Sequence, residues 1–187
     1  AVADTVRSSS AAAMEALRAL GVTPVMLTGD NAATAIAIAA MAGIDEVKSN
    51  LLPQDKLEAV AALQARYGFA AMAGDGINDA PALAQADIGF AMGAAGTHIA
   101  IEAADVVIMN DDLMRIPETI ALSRRTFRIL RQNIALALGI KAVFLVLTVA
   151  GNATMWMAVF ADMGTSLIVI ANGLRLLRTP MLGKIKG

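Results

Sequence analysis

Apolar positions fall into short runs over the first 110 or so residues and into two long runs after that, and the change of period divides the chain. Helical spacing rich in alanine covers 10–20 and stops at Gly21. The apolar run 22–27 reads as a strand ending in Thr28-Gly29-Asp30-Asn31. Helices are predicted over 32–41, with Gly43 as the stop, and over 53–67, where Pro53 suits a first turn. A strand at 69–73 runs into the acidic, glycine-rich Gly74-Asp75-Gly76-Ile77-Asn78-Asp79. A short helix at 80–85, a strand at 88–92, a helical stretch at 97–103 and a strand at 106–109 follow. Short apolar runs alternating with helices indicate a parallel sheet covered on both faces.

From Leu113 the pattern is one long helical stretch carrying Arg115, Arg124, Arg125, Arg128 and Arg131. Beyond it, 134–150 contains a single charge, Lys141, and 155–174 a single charge, Asp162, with Gly151-Asn152-Ala153-Thr154 as the only loop signal between them. Each run is near the ~20 residues that a membrane helix needs, so the pair reads as a transmembrane hairpin. Arginines crowd the approach to the first span, and Arg175, Arg178, Lys184 and Lys186 end the second, so both ends are expected on the cytoplasmic side. Trp156 at the outer edge suits an interfacial anchor.

Composition supports a partly lipid-embedded chain: of 187 residues, 57% are hydrophobic and only 17% charged. A formal net charge of -1, with the basic residues gathered in the last third, assigns no nucleic-acid role. Without cysteine the segment has no disulfide and no thiolate metal site. The opening 20 residues have no signal-peptide pattern, and the lack of an initiating Met leads us to expect a piece of something longer.

Candidate chemistry sits where the predicted strands end. Asp75 and Asp79, four residues apart after a strand, suit a hard cation such as Mg2+, which prefers oxygen ligands and bridges carboxylate to phosphate. Asn78 could orient a phosphate or a ligating carboxylate. Thr28, Gly29 and Asp30 place a hydroxyl and backbone N–H groups at a helix start that favours an anion; Asp30 or Asn31 as a plain N-cap is the alternative. Lys56 offers a compact positive charge to a phosphate, against the plainer reading of a solvated helix lysine. Lys141 and Asp162 each cost at least ~2.5–3.5 kcal/mol at the centre of a span, so they need a partner or a task. Counted from the loop at ~1.5 Å per residue they lie ~14 Å and ~10 Å deep, a difference that a lysine stem can span in a salt bridge that pins the hairpin. His98 and the scattered methionines read as surface or packing residues.

The order hydroxyl loop, lysine, acidic loop resembles the haloacid dehalogenase superfamily. The strings Leu27-Thr28-Gly29-Asp30-Asn31, Pro53-Gln54-Asp55-Lys56 and Met72-Ala73-Gly74-Asp75-Gly76-Ile77-Asn78-Asp79-Ala80-Pro81-Ala82-Leu83 narrow the resemblance to the P-type ATPases. Asn133, seven intervening residues, then Lys141, with Asp162-Met163-Gly164 in the next span, is similar to the zinc, cadmium and lead transporting subgroup.

The resemblance implies an incomplete Rossmann-like parallel-sheet domain of the haloacid dehalogenase type, followed by an α-helical transmembrane hairpin. It implies a partial phosphorylation domain at 1–112, a stalk at 113–131, spans at 132–150 and 156–177 joined by an outer loop at 151–155, and a cytoplasmic tail at 178–187. Thr28, Gly29 and Lys56 would contact an aspartyl phosphate, with Asp30 beside them; Asp75 would coordinate Mg2+, and Asp79 with Asn78 would support that site. Asp162 would be a ligand of the transported Zn2+, Cd2+ or Pb2+, with Lys141 as counter-charge. ATP would phosphorylate an Asp upstream, since the family's Asp-Lys-Thr-Gly-Thr string does not occur in 1–187, and a Cys-Pro pair in an earlier helix would complete the ion site. The implied partners are membrane lipid, the upstream part of the same pump and a heavy-metal cation, and the implied location is a plasma or inner membrane. A copper transporter, with Met155 and Met157 as thioether ligands, is one alternative; a membrane-anchored phosphatase or a silent remnant is another.

Overall fold

The computed structural model describes residues 8–75, 77–93, 98–152 and 154–177. Gly76, Thr97 and the expected tail at 178–187 lie outside the described residues, as does the side chain of His98. The chain forms two compact units, Ala1–Pro117 and Glu118–Gly187.

The first unit runs α1 (Ser8–Ala19), β1 (Val25–Leu27), α2 (Ala32–Ala42), β2 (Glu46–Lys48), α3 (Pro53–Tyr67), β3 (Ala71–Gly74), a 3-10 turn (Ile77–Asp79), α4 (Ala80–Gln85), β4 (Ile88–Met92), α5 (His98–Ala103) and β5 (Val106–Ile108). Helix boundaries follow their signals. Pro53 opens α3, and Gly43 ends α2 with φ 71°, the left-handed conformation that only glycine adopts cheaply, its N–H returning to the last turn.

All strand pairs are parallel, but the hydrogen bonds form two sheets where the sequence pattern suggests one. β1 pairs with β2, Val25 opposite Glu46; β3, β4 and β5 pair in that order, with Ala71 opposite Ile88 and Phe90 opposite Val106. The two sheets share apolar packing: Val60, Met72, Ala82 and Leu83 form a buried cluster against which Leu27, Ala86 and Ala103 pack. β4 is the most buried strand, with Gly89, Phe90 and Ala91 enclosed, as a central parallel strand covered on both faces should be. Because the strands are parallel, the loops after β1 and β2 share one edge of their sheet, and the loops after β3, β4 and β5 share one edge of theirs.

In the second unit α6 (Arg115–Val149) continues without interruption from the expected stalk into the first expected span, and α7 (Met155–Leu174) returns after a short turn. Both helices are long and apolar enough to cross a membrane, and their most apolar stretches are almost wholly exposed. Side chains such as Leu138, Val146, Phe160 and Leu167, each at least 60% exposed, suit lipid or further helices rather than water. Beyond Gln132 the partly buried positions on α6 are Asn133, Ala137, Ile140, Phe144 and Leu147; the least exposed positions on α7 include Ala161, Thr165, Val169 and Asn172. Steps of three and four residues make this the seam of an antiparallel helix pair.

Candidate functional site

Thr28, Gly29 and Asp30 leave the carboxyl end of β1 in a loop that is fixed on both sides. The Thr28 hydroxyl donates to Asp30 Oδ2 at 3.0 Å and accepts the Asp30 N–H at 3.1 Å. Thr28 N–H donates to Lys48 O at 3.0 Å, Leu51 N–H to Thr28 O at 3.1 Å, and Asn50 N–H to Asp30 O at 2.8 Å. Asn50 adopts φ 55°, a conformation that Asn tolerates better than most residues, and this aims its N–H at the loop. The N-cap of α2 is Asn31, whose Oδ1 accepts from Thr34 N–H at 3.0 Å. Asp30 is therefore free of capping, and the hydroxyl and amide groups of the loop sit at a helix N-terminus where an anion is favoured.

Lys56 rises from the first turn of α3, which Asp55 stabilises by accepting the Leu52 N–H at 2.8 Å. It is not a solvated helix lysine. Its Nζ lies 2.6 Å from Asp79 Oδ1, with the two side chains only 15% and 12% exposed. Asp79 reaches it from the 3-10 turn after β3, and Gly74 makes the room: a Cβ on Gly74 would stand 2.8 Å from Asp79 Cβ and 2.9 Å from its Oδ2. The two loops are thereby coupled, since the segment that carries Lys56 begins at Leu51, which is bonded to Thr28.

The acids of the motif divide. Asp79 is buried and ion-paired, whereas Asp75, at the carboxyl end of β3, is exposed and has no side-chain hydrogen bond among those described; Asn78 is also exposed. Among the described residues no group of three or more His, Cys, Asp or Glu side chains converges to form a metal site. An open carboxylate, four residues before a second acid, still fits Mg2+, which is commonly held by one or two carboxylates, waters and a phosphate. Asp79 as a direct ligand would have to share its charge with Lys56.

Two supports at the opposite, amino-terminal edge of the β3–β5 sheet are not evident from the motifs. Asp87, before β4, accepts from Ala70 N–H at 2.9 Å and from Gln64 Nε2 at 3.1 Å, and the Ala70 bond first, then the Gln64 bond, hold its carboxyl below the ordinary 3.8. Asp105, before β5, accepts from Gly89 N–H at 2.8 Å.

In the second unit Lys141 and Asp162 each follow a seam residue by one position, Ile140 on α6 and Ala161 on α7. In an antiparallel pair this step turns both side chains to the same flank. Asn133 contacts Val169 O at 3.4 Å and Asn172 at 2.8 Å. Eight residues on from Asn133 is Lys141, and eight back from Val169 and Asn172 are Ala161 and Gly164, which bracket Asp162. The two charges thus share a level and a flank. Both are exposed, and among the described residues no ion pair joins them, so the pinning salt bridge is not formed.

The haloacid dehalogenase-like hydrolase family pattern matches residues 1–87. A probable cadmium-transporting ATPase of Listeria monocytogenes is 52% identical over 179 residues, which make up 95% of this chain and 25% of that protein. A zinc/cadmium/lead-transporting P-type ATPase of Escherichia coli K12 is 49% identical over 178 residues, 95% of this chain and 24% of that protein. The solved structure of a zinc-transporting PIB-type ATPase in its E2.Pi state superposes with a TM-score of 0.86 at 49% identity, covering 94% of this chain and 28% of that one. The chain spans about a quarter of the length of these curated relatives. With a haloacid dehalogenase-like domain followed by two long apolar helices, the chain belongs to the heavy-metal P-type ATPase family as a segment of such a pump.

Proposed function

We propose that this chain is the part of a Zn2+/Cd2+/Pb2+-exporting P-type ATPase that joins half of the phosphorylation site to half of the ion site. The observation that carries the reading is the common level and flank of Lys141 and Asp162: a membrane anchor has no use for two charges so placed, each costly in lipid. Asp162 supplies an oxygen ligand to the cation. Lys141, beside it, serves as counter-charge when the site is empty and competes with the cation when it is full. Met155 and Met157 lie at the loop end of α7, remote from that level, which favours zinc, cadmium and lead over copper.

In the cytoplasmic half, ATP phosphorylates an Asp carried by the upstream part of the pump. β1 bonds only to β2, and β3 only to β4, among the described strands. This leaves an unpaired edge on each for a strand that brings that Asp to the carboxyl ends of both. Thr28 and the backbone N–H groups of Gly29 and Asp30 bind phosphoryl oxygens, and the Thr28 hydroxyl turns from Asp30 to do so. Lys56, oriented by Asp79, adds a positive charge, while Asp75, with Asn78 nearby, holds Mg2+. The metal supplies neutralisation of phosphate charge. Such positioning and neutralisation account for most of phosphoryl-transfer catalysis. Both ends of the segment face the cytoplasm of a plasma or inner membrane, the arginines before the first span and Arg175 after the second meeting the positive-inside rule.

The complete pump in proteoliposomes tests this. Vanadate-sensitive ATP hydrolysis stimulated by Zn2+, Cd2+ or Pb2+ and not by Cu(I) is expected. Hydrolysis of small phosphate esters indifferent to these ions would identify a phosphatase instead.

A further inference from the structure

We infer that Asn133 and Asn172 form a clamp that fixes the register of α6 against α7, and through it the common level of Lys141 and Asp162. Asn133 is a positioning residue and not a ligand of the transported ion. It lies eight residues from Lys141, roughly 12 Å along the helix axis, too far to share a coordination sphere with it. Its side chain is committed at both ends: Oδ1 accepts from Asn172 Nδ2 at 2.8 Å, and Nδ2 donates to Val169 O at 3.4 Å. Asn172 is committed likewise, its Oδ1 accepting from Arg175 Nη1 at 3.0 Å.

The network continues toward the stalk. Arg125 Nη2 donates to Arg175 O at 3.0 Å, capping the carboxyl end of α7 with a cation from α6. About two turns of α6, from Arg125 to Asn133, are therefore tied to the stretch of α7 from Val169 to its carboxyl end at Arg175, whereas the remainder of the seam is apolar or small and does not specify one register. A polar pair in an otherwise apolar helix seam is a known way of specifying register. A rotation of the stalk portion would be carried to α7 through these bonds before it reached the two charges.

The clamp itself does not depend on the pump reading; its consequence for ion movement does. The chain has no cysteine, so an introduced pair supplies the only thiols. In the full 187-residue chain in liposomes, Lys141→Cys combined with Asp162→Cys should be linked by a short bismaleimide several-fold faster than Lys141→Cys combined with Ala158→Cys or with Ser166→Cys, one turn to either side. Adding Asn133→Leu and Asn172→Leu should bring these rates to within about two-fold of one another, with helix content unchanged by circular dichroism. Asn172→Gln, which keeps a donor and an acceptor, should retain most of the preference; if the double leucine variant fails to insert, Asn172→Leu alone gives the same comparison. An undiminished preference in the leucine variants would overturn the clamp. The linking rates require no transport, so a failure of the pump reading leaves this result intact and is seen separately, as loss of metal-stimulated hydrolysis by the complete pump.

Discussion

Removing one partner of the Lys56–Asp79 pair should loosen the first unit far more than removing both. The pair is 2.6 Å apart and its side chains are 15% and 12% exposed, so each charge depends on the other rather than on water. Breaking a fully buried pair from one side costs about 3–5 kcal/mol. The residual exposure here brings this to about 2–3 kcal/mol for Asp79→Ala or Lys56→Met, a ~30- to 150-fold change in an opening equilibrium. The combination Lys56→Met with Asp79→Leu replaces the pair with apolar groups of similar size and should cost less than either single change. Hydrogen exchange of peptides covering α3 and the turn Ile77–Asp79, read by mass spectrometry, measures the opening locally. Single variants within about 0.5 kcal/mol of the parent chain, or effects of the two that simply add, would show that neither charge depends on the other.

Four further outcomes follow from the geometry. Gly74→Ala drives a methyl group into Asp79 and should cost about 1–3 kcal/mol in thermal or urea unfolding, relieved in part by Asp79→Ala. Asn31→Ala removes the α2 cap and should cost about 0.5–2 kcal/mol in the same measurement, whereas Asn31→Ser should cost little. Because the Asp87 carboxyl is held below its ordinary value, its contribution to stability is present above about pH 4 and is lost as pH falls through the lowered native value. Unfolding of Asp87→Asn followed from pH 6 to pH 2 should therefore show a shallower acid limb than the parent, and a superimposable limb would contradict the assignment. Asp75→Asn in the complete pump should raise the Mg2+ concentration needed for phosphorylation by ATP at least ten-fold while leaving the fold unchanged by circular dichroism.

Much of this architecture is legible in the sequence, and the exceptions have physical causes. α3, α4 and β4 fall where their apolar runs and flanking Pro and Gly residues put them, because local signals and packing agree there. β2 has no signal: Glu46-Val47-Lys48 is short and two-thirds charged, and it is a strand because its backbone pairs with β1. β3 begins two residues later than its apolar run, since Phe69 stays 57% exposed and Ala70 N–H is taken by Asp87. In the site, the strings around Thr28, Lys56 and Asp75 name the residues, but not that Asp79 turns inward to Lys56, a contact between positions 23 residues apart. Asn172 was invisible for the same reason. Nothing in the apolar stretch of α7 marks it until its partner Asn133 is placed opposite.

An ion site formed by Asp162 and Lys141 and driven from the Asp75 edge stands or falls with metal-stimulated ATP hydrolysis of the complete pump carrying Asp162→Ala. Stimulation by Zn2+, Cd2+ and Pb2+ should be lost, while Mg2+-dependent phosphorylation by inorganic phosphate, which needs only the Thr28, Lys56 and Asp75 loops and the upstream Asp, should persist. Stimulation equal to that of the parent pump would contradict it.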